Sequence, residues 1–102
     1  MFSQESDIVK TMRLIEGLKA DLINNIGTLY QAMAQNSETA IKEALAMVII
    51  HSYVLGKRLG IGFADLDETI EHKLNDASKN NDALENRFGD FSKLKRFFEQ
   101  KR

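Results

Sequence analysis

Apolar residues recur at steps of three and four from early in the chain: Ile8, Met12, Ile15, Leu18, Leu22, Ile26, Leu29 and Met33. That spacing predicts one face of an amphipathic helix, or of two helices joined by a bend. Gly17 and Gly27 are the places for such a bend, since glycine weakens a helix interior by roughly 1 kcal/mol relative to alanine. Ser3 or Ser6 can cap the start. Gln35-Asn36-Ser37 is the first clear break, with Ser37 placed as the N-cap of the next helix and Glu38 in its first turn.

That second helix is expected from about Glu38 to Leu59, and its pattern differs in kind. From Ala44 to Leu55 apolar residues fall on nearly every side of the helix, which predicts an almost completely buried element. Lys57 and Arg58 suit its last turn, and Gly60 suits the position just beyond it. Gly62 can cap a third helix, amphipathic, with Phe63, Leu66, Ile70, Leu74 and Ala77 opposite Asp67, Glu68, Glu71 and Lys73. Ser78 to Asn81 reads as a loop, and Leu84 and Phe88 as anchors of a short turn. Gly89-Asp90 then introduces a short final helix with Phe91, Leu94 and Phe98 on one face. No stretch alternates with a period of two, so the expected class is all-α, as one domain over residues 1–102.

Composition narrows the function classes. With no cysteine, disulfides, thiolate catalysis and zinc–cysteine sites are excluded. A net charge of -1 argues against non-specific nucleic-acid binding by the whole chain. The N-terminus lacks the basic and apolar regions of a signal peptide, so a cytoplasmic location is expected. The longest apolar run, Ala44 to Ile50, is too short to cross a bilayer, so no membrane role is expected. Basic residues Lys93, Lys95, Arg96, Lys101 and Arg102 gather near the C-terminus, where they could meet an acidic protein partner or simply be solvated.

The order of a long helix, an apolar helix, a Gly60-Ile61-Gly62 turn and an acidic helix running to Lys73 is similar to the small MazG-like proteins, a branch of the all-α nucleotide pyrophosphohydrolases. The resemblance extends to Phe88-Gly89-Asp90-Phe91-Ser92 before the last helix. It implies a MazG-like helical bundle. In active members, an E-E-x-x-E motif on one helix faces an E-x-x-D motif on the next, and the carboxylates hold magnesium for triphosphate cleavage. Clustered hard oxygen ligands are what that ion needs. Matching the Leu29-x-x-Ala32-Met33 ending of the long helix puts Asn24, Asn25 and Thr28 at the first motif. The second falls on Glu43 and Ala46, so that Glu43 alone keeps a carboxylate as a metal-ligand candidate. Lys73 matches a family lysine that can approach phosphate. Asn24, Asn25, Thr28 and Lys73 are therefore the ligand-binding candidates, no catalytic residue is assigned, and magnesium is the one cofactor the resemblance allows.

Each candidate has a plainer reading. Glu43 can be a solvated edge of the apolar helix, and Asn24, Asn25 and Thr28 can be polar groups satisfied at a helix interface. His51 fits a hydrogen-bonded core histidine, and Glu68 with His72 a pair of solvated neighbours. Together these point to a non-catalytic or weakly active MazG-like oligomer, most simply a homodimer, that binds a nucleotide, another small ligand or a protein. The alternatives are a magnesium-dependent triphosphate pyrophosphohydrolase with an altered metal site, and a purely structural interaction module.

Overall fold

A computed structural model describes residues 6–80 and 82–101. Ser3, Asn81 and Arg102, which the sequence reading used for a cap, a loop and the basic tail, lie outside the described residues. Every element is a helix: α1 (Asp7–Ala34), α2 (Glu38–Arg58), α3 (Phe63–Lys79), α4 (Ala83–Phe88) and α5 (Asp90–Lys101). The all-α class holds, and among the described residues there is no strand.

The helix ends follow from local chemistry. Ser6 caps α1, its hydroxyl accepting from the Val9 N–H at 3.2 Å, and Ser37 caps α2 by accepting from Ala40 at 3.3 Å. Both helices end in the same motif. Past α2, Gly60 is left-handed (φ 90°), its N–H reaches the Lys57 carbonyl, and the Ile61 N–H reaches Gly56. Past α1, Asn36 takes the left-handed place at φ 58°, with N–H bonds from Asn36 to Met33 and from Ser37 to Ala32. Asparagine is among the few residues that tolerate that conformation, which makes the α1–α2 turn tight without a glycine. Gly62 directly precedes α3. The expected loop at Ser78 starts later, because α3 runs to Lys79 and the Ser78 hydroxyl donates to the Asn75 carbonyl.

The chain forms two compact units, one reaching as far as Phe63 and the other running from Ala64. In the first, α1 and α2 pack as an antiparallel hairpin. The half-covered positions of α1 are Thr11, Ile15, Leu18, Leu22, Asn25 and Leu29, closed by the buried Ala32. Their steps alternate four and three, the seam of a two-helix coil. Ile41, Ala44, Val48, His51 and Leu55 are the matching seam of α2. α1 is one continuous helix through Gly17 and Gly27, so the two-helix alternative for this segment is not realised. At the far end of α2 the Tyr53 ring meets Phe63 at 6.3 Å, and the Lys57 ammonium lies 5.5 Å from the Phe63 ring centre.

The burial expected of α2 is not found within its unit. Only Ala44 and Gly56 of its 21 residues are buried, while Ile49 and Ile50 are 57% and 51% exposed. The reason is geometric. Within its unit α2 has a single helical neighbour, and one neighbour covers one stripe. By length and composition alone α2 is also long and apolar enough to cross a membrane, a test that core helices of soluble proteins pass as well.

In the second unit, Leu74 of α3 is buried, and Lys95 of α5 donates to the Asn75 side-chain oxygen of α3 at 2.8 Å. Asp82 caps α4 at the Leu84 N–H (2.8 Å), and Gly89 (φ 68°) closes it. The Glu85 carboxylate then serves the start of α5, accepting from the Ser92 hydroxyl and from the Ser92 N–H at 3.1 Å. The Ser92 hydroxyl, aided by the Ser92 and Phe91 N–H groups and the Arg96 charge, holds the Glu85 carboxyl below its ordinary value against a smaller opposing effect of desolvation.

Gly60→Ala places a side chain in a left-handed position and should lower stability by about 1 kcal/mol. Gly17→Ala sits mid-helix, where a Cβ meets nothing within 4 Å, and should raise stability by up to about 1 kcal/mol. Thermal unfolding followed by circular dichroism reads both signs. The depressed Glu85 ionisation means its contribution is complete above the ordinary carboxylate range and lost as pH falls through the folded value. Exchange protection of the Ser92 amide should therefore fall on acidification, and Glu85→Gln should abolish that dependence.

Candidate functional site

The chemistry-bearing residues of the first unit gather where the α1–α2 seam turns polar. Asn25 is half-buried in a row otherwise built mainly of Ile and Leu, and its amide lies 2.9 Å from Nδ1 of His51 on α2. The same ring nitrogen lies 3.0 Å from the Met47 carbonyl, and Nε2 lies 3.8 Å from the Asp21 carboxylate. Nδ1 cannot accept from Asn25 and donate to Met47 at once. The Met47 carbonyl already serves the backbone N–H of His51 one turn on, as in any α-helix. The economical arrangement therefore has the Asn25 amide N–H donating to Nδ1, with the ring proton on Nε2, turned toward Asp21. Asp21 is 57% exposed and His51 18%, so this polar layer opens to solvent on the Asp21 side.

The layer also sets the register. Seven residues on from Asn25 lies the buried Ala32, and seven back from His51 lies the buried Ala44, so the same antiparallel alignment sets these two alanines against each other. Small residues there let the backbones approach closely beside the turn.

The expected site residues fall in both units, and those of the first unit occupy different positions on the hairpin. Asn25 is in the polar layer. Asn24 and Thr28 are exposed on α1. Glu43 is exposed and lies eight residues before His51, about 12 Å along the helix axis at 1.5 Å per residue. Magnesium holds its oxygens at about 2.1 Å, so two ligands of one ion lie within roughly 4 Å of each other. Glu43 and the Asn25 amide therefore do not share an ion within one chain. In this register the residues of α2 opposite Asn25 and Thr28 are those around His51 and Val48, which lie more than one turn beyond Glu43, while Ala46 is about half a turn from Val48.

Lys73 belongs to the second unit, where it lines an apolar groove of about 340 Å³ with Ile70, Leu74, Ala77 and Phe91. A second groove of about 270 Å³ shares Leu74 and is otherwise lined by Glu71, His72, Asn75, Lys95, Phe98 and Glu99. Among the described residues, no group of three or more His, Asp or Glu side chains could hold a metal ion. Glu68 and His72 are both exposed on α3, and Glu16 pairs with Lys19 at 2.9 Å.

The MazG-like family model matches residues 8–91, from the first turns of α1 into the start of α5. The chain belongs to the MazG-like family. This relates it to proteins of the nucleotide pyrophosphohydrolase type and agrees with its all-helical structure. No curated protein and no solved structure matches it.

The sequence reading had His51 as a hydrogen-bonded histidine and Asn25 as a polar group met at a helix interface. It did not pair them with each other, and it missed Asp21 as the third member. Antiparallel register is the missing signal: it is a property of two helices, and neither helix carries it alone.

In this MazG-like chain the pair should behave as a coupled unit. Asn25→Leu leaves His51 without its donor and should cost about 1–2 kcal/mol, as should His51→Leu. The double variant Asn25→Leu/His51→Leu should lose less than the two single losses added together, because apolar groups then face each other. Denaturant titration of the four proteins closes that cycle.

Proposed function

We propose that this MazG-like protein acts as a helical oligomer that binds a nucleotide or related small ligand, with little or no triphosphate cleavage. The observation that carries this reading is the chemistry of the polar layer between α1 and α2. Two facing helices bind magnesium when each turns carboxylates to the other. Here an amide faces an imidazole, with Nδ1 2.9 Å from the Asn25 amide and Nε2 3.8 Å from the Asp21 carboxylate. Amides, hydroxyls and imidazoles can hydrogen-bond a ligand. They do not offset the charge that builds up on cleavage of a triphosphate. The layer is therefore a poor fit to magnesium, and no hydrolytic step is drawn through that ion.

Asn24 and Thr28, exposed on α1, supply neutral donors and acceptors for such a ligand. The exposed α2 favours assembly, since a helix apolar on all sides needs more than one neighbour. Family membership favours a second reading, a magnesium-dependent pyrophosphohydrolase with an altered metal site, in which Asp21, Glu43 or acids of another subunit hold the ion.

The test is to incubate the purified protein with each common nucleoside triphosphate plus magnesium or manganese and follow pyrophosphate release. Melting temperature is recorded with the same ligands before and after chelation. The expected result is no robust turnover and a rise in melting temperature that survives the chelator. Robust turnover that vanishes in Glu43→Gln would overturn the binding reading in favour of the enzyme.

A further inference from the structure

The groove of about 270 Å³ between α3 and α5 has no part in the proposed function. Leu74, which is buried, and Phe98 supply its apolar lining. Its charged groups are sorted along its length. At one end the Lys95 ammonium donates to the Asn75 side-chain oxygen at 2.8 Å, and both residues are half-buried. An ammonium carries three N–H donors, and this bond uses one. Glu71 lies one turn back from Asn75 along α3, and Glu99 one turn on from Lys95 along α5, with the exposed His72 beside them. Lys95 and Glu99, four residues apart, are within reach of each other on α5. They do not pair: among the described residues Glu99 makes no ion pair or hydrogen bond, and Lys95 is turned to a neutral acceptor on the other helix. The groove thus keeps a positive and a negative group about 6 Å apart along the helix, beside an apolar floor.

We propose that this groove binds a free amino acid with an apolar side chain, its carboxylate on Lys95, its ammonium on Glu99 and Glu71, and its side chain against Leu74 and Phe98. Size sets the first limit. At about 30 Å³ for each water, the groove has room for roughly nine, and so for a ligand of about that many non-hydrogen atoms. Charge sets the second. A simple anion that meets Lys95 also meets two carboxylates, and a simple cation at the carboxylates faces the lysine. A zwitterion offsets both ends, through charge-assisted hydrogen bonds to groups already partly withdrawn from water. Among the described residues no three acidic and histidine side chains group closely enough to hold a metal ion, which leaves an ammonium as the cation for the acidic end. Asn75 is a positioning residue: by holding the Lys95 ammonium it keeps the two charges apart before the ligand arrives. The site lies wholly within the second unit and does not depend on nucleotide binding by the first.

The test follows the backbone amide resonances of the full chain by NMR as L-leucine is added to millimolar concentration. Isoamylamine, which is leucine without its carboxylate, and isocaproate, which is leucine without its ammonium, are the comparison ligands. The expected result is a saturable shift confined to the residues of α3 and α5 around the groove, with each comparison ligand at least about tenfold weaker. Lys95→Gln and Glu99→Gln should each weaken leucine binding by a similar factor while helical circular dichroism is retained. Lys93→Gln, exposed on α5 outside the groove, should leave it unchanged. No saturable shift with L-leucine or with L-phenylalanine would overturn the proposal, and shifts centred on α1 and α2 would overturn the site. Equal binding of either comparison ligand to the unaltered protein would overturn the zwitterion as the ligand class, whatever the variants do.

Discussion

The contact between Asn25 and His51 is the constraint on which the first unit depends. Two antiparallel helices with apolar seams can slide by a turn at little cost, because one aliphatic side chain packs much like the next. A single amide–imidazole pair in the seam removes that freedom, since sliding leaves two half-buried polar groups without partners. With the pair in place, the register brings the buried Ala32 and Ala44 opposite each other near the turn, and the left-handed Asn36 closes the connection. Glu43 is carried away from the polar layer. The same pair that aligns the hairpin thus occupies the place where the family relationship leads one to look for metal-binding carboxylates.

The second consequence concerns surface. A hairpin is two helices thick in one direction and one helix thick in the other. Its seam is covered, yet each helix of this chain carries more apolar residues than one seam can take. α1 has a second stripe, and α2 is apolar on almost all sides. In water such a unit is marginal alone, because the area it buries is small relative to the backbone entropy lost in ordering some fifty residues. Charge falls on Asp7, Lys10, Arg13, Glu16, Lys19 and Asp21 of α1 and on Glu38, Lys42, Glu43, Lys57 and Arg58 of α2, leaving residues 22–37 and 44–56 without any.

Much of this was legible in the sequence. Steps of three and four placed α1 and α3, the unbroken apolar stretch between Ser37 and Gly60 placed α2, and Ser6, one of two candidate caps with Ser3, is the one that caps α1. The resemblance to MazG-like proteins rested on the Leu59-Gly60-Ile61 turn and the segment around Phe88 to Ser92, and the family match includes both. What the sequence could not show was pairing. Asn25 and His51 are 26 residues apart, and nothing in either helix alone says which turn of one meets which turn of the other. The apolar pattern of α2 led to an expectation of near-complete burial, in a homodimer most simply, whereas within its own unit only Ala44 and Gly56 are buried. Burial measured within one chain reports only the neighbours that chain supplies. Glu85 and Ser92 are a further instance: seven residues apart, they meet only because Gly89 turns the chain between them.

The central claim is that the folded hairpin and its self-association are one equilibrium. Urea unfolding monitored by circular dichroism at two protein concentrations a hundredfold apart tests it directly. If folding requires a second copy, mass action moves the midpoint to higher urea at the higher concentration. A midpoint independent of concentration would mean that one chain is stable with its apolar faces uncovered, and would contradict the account.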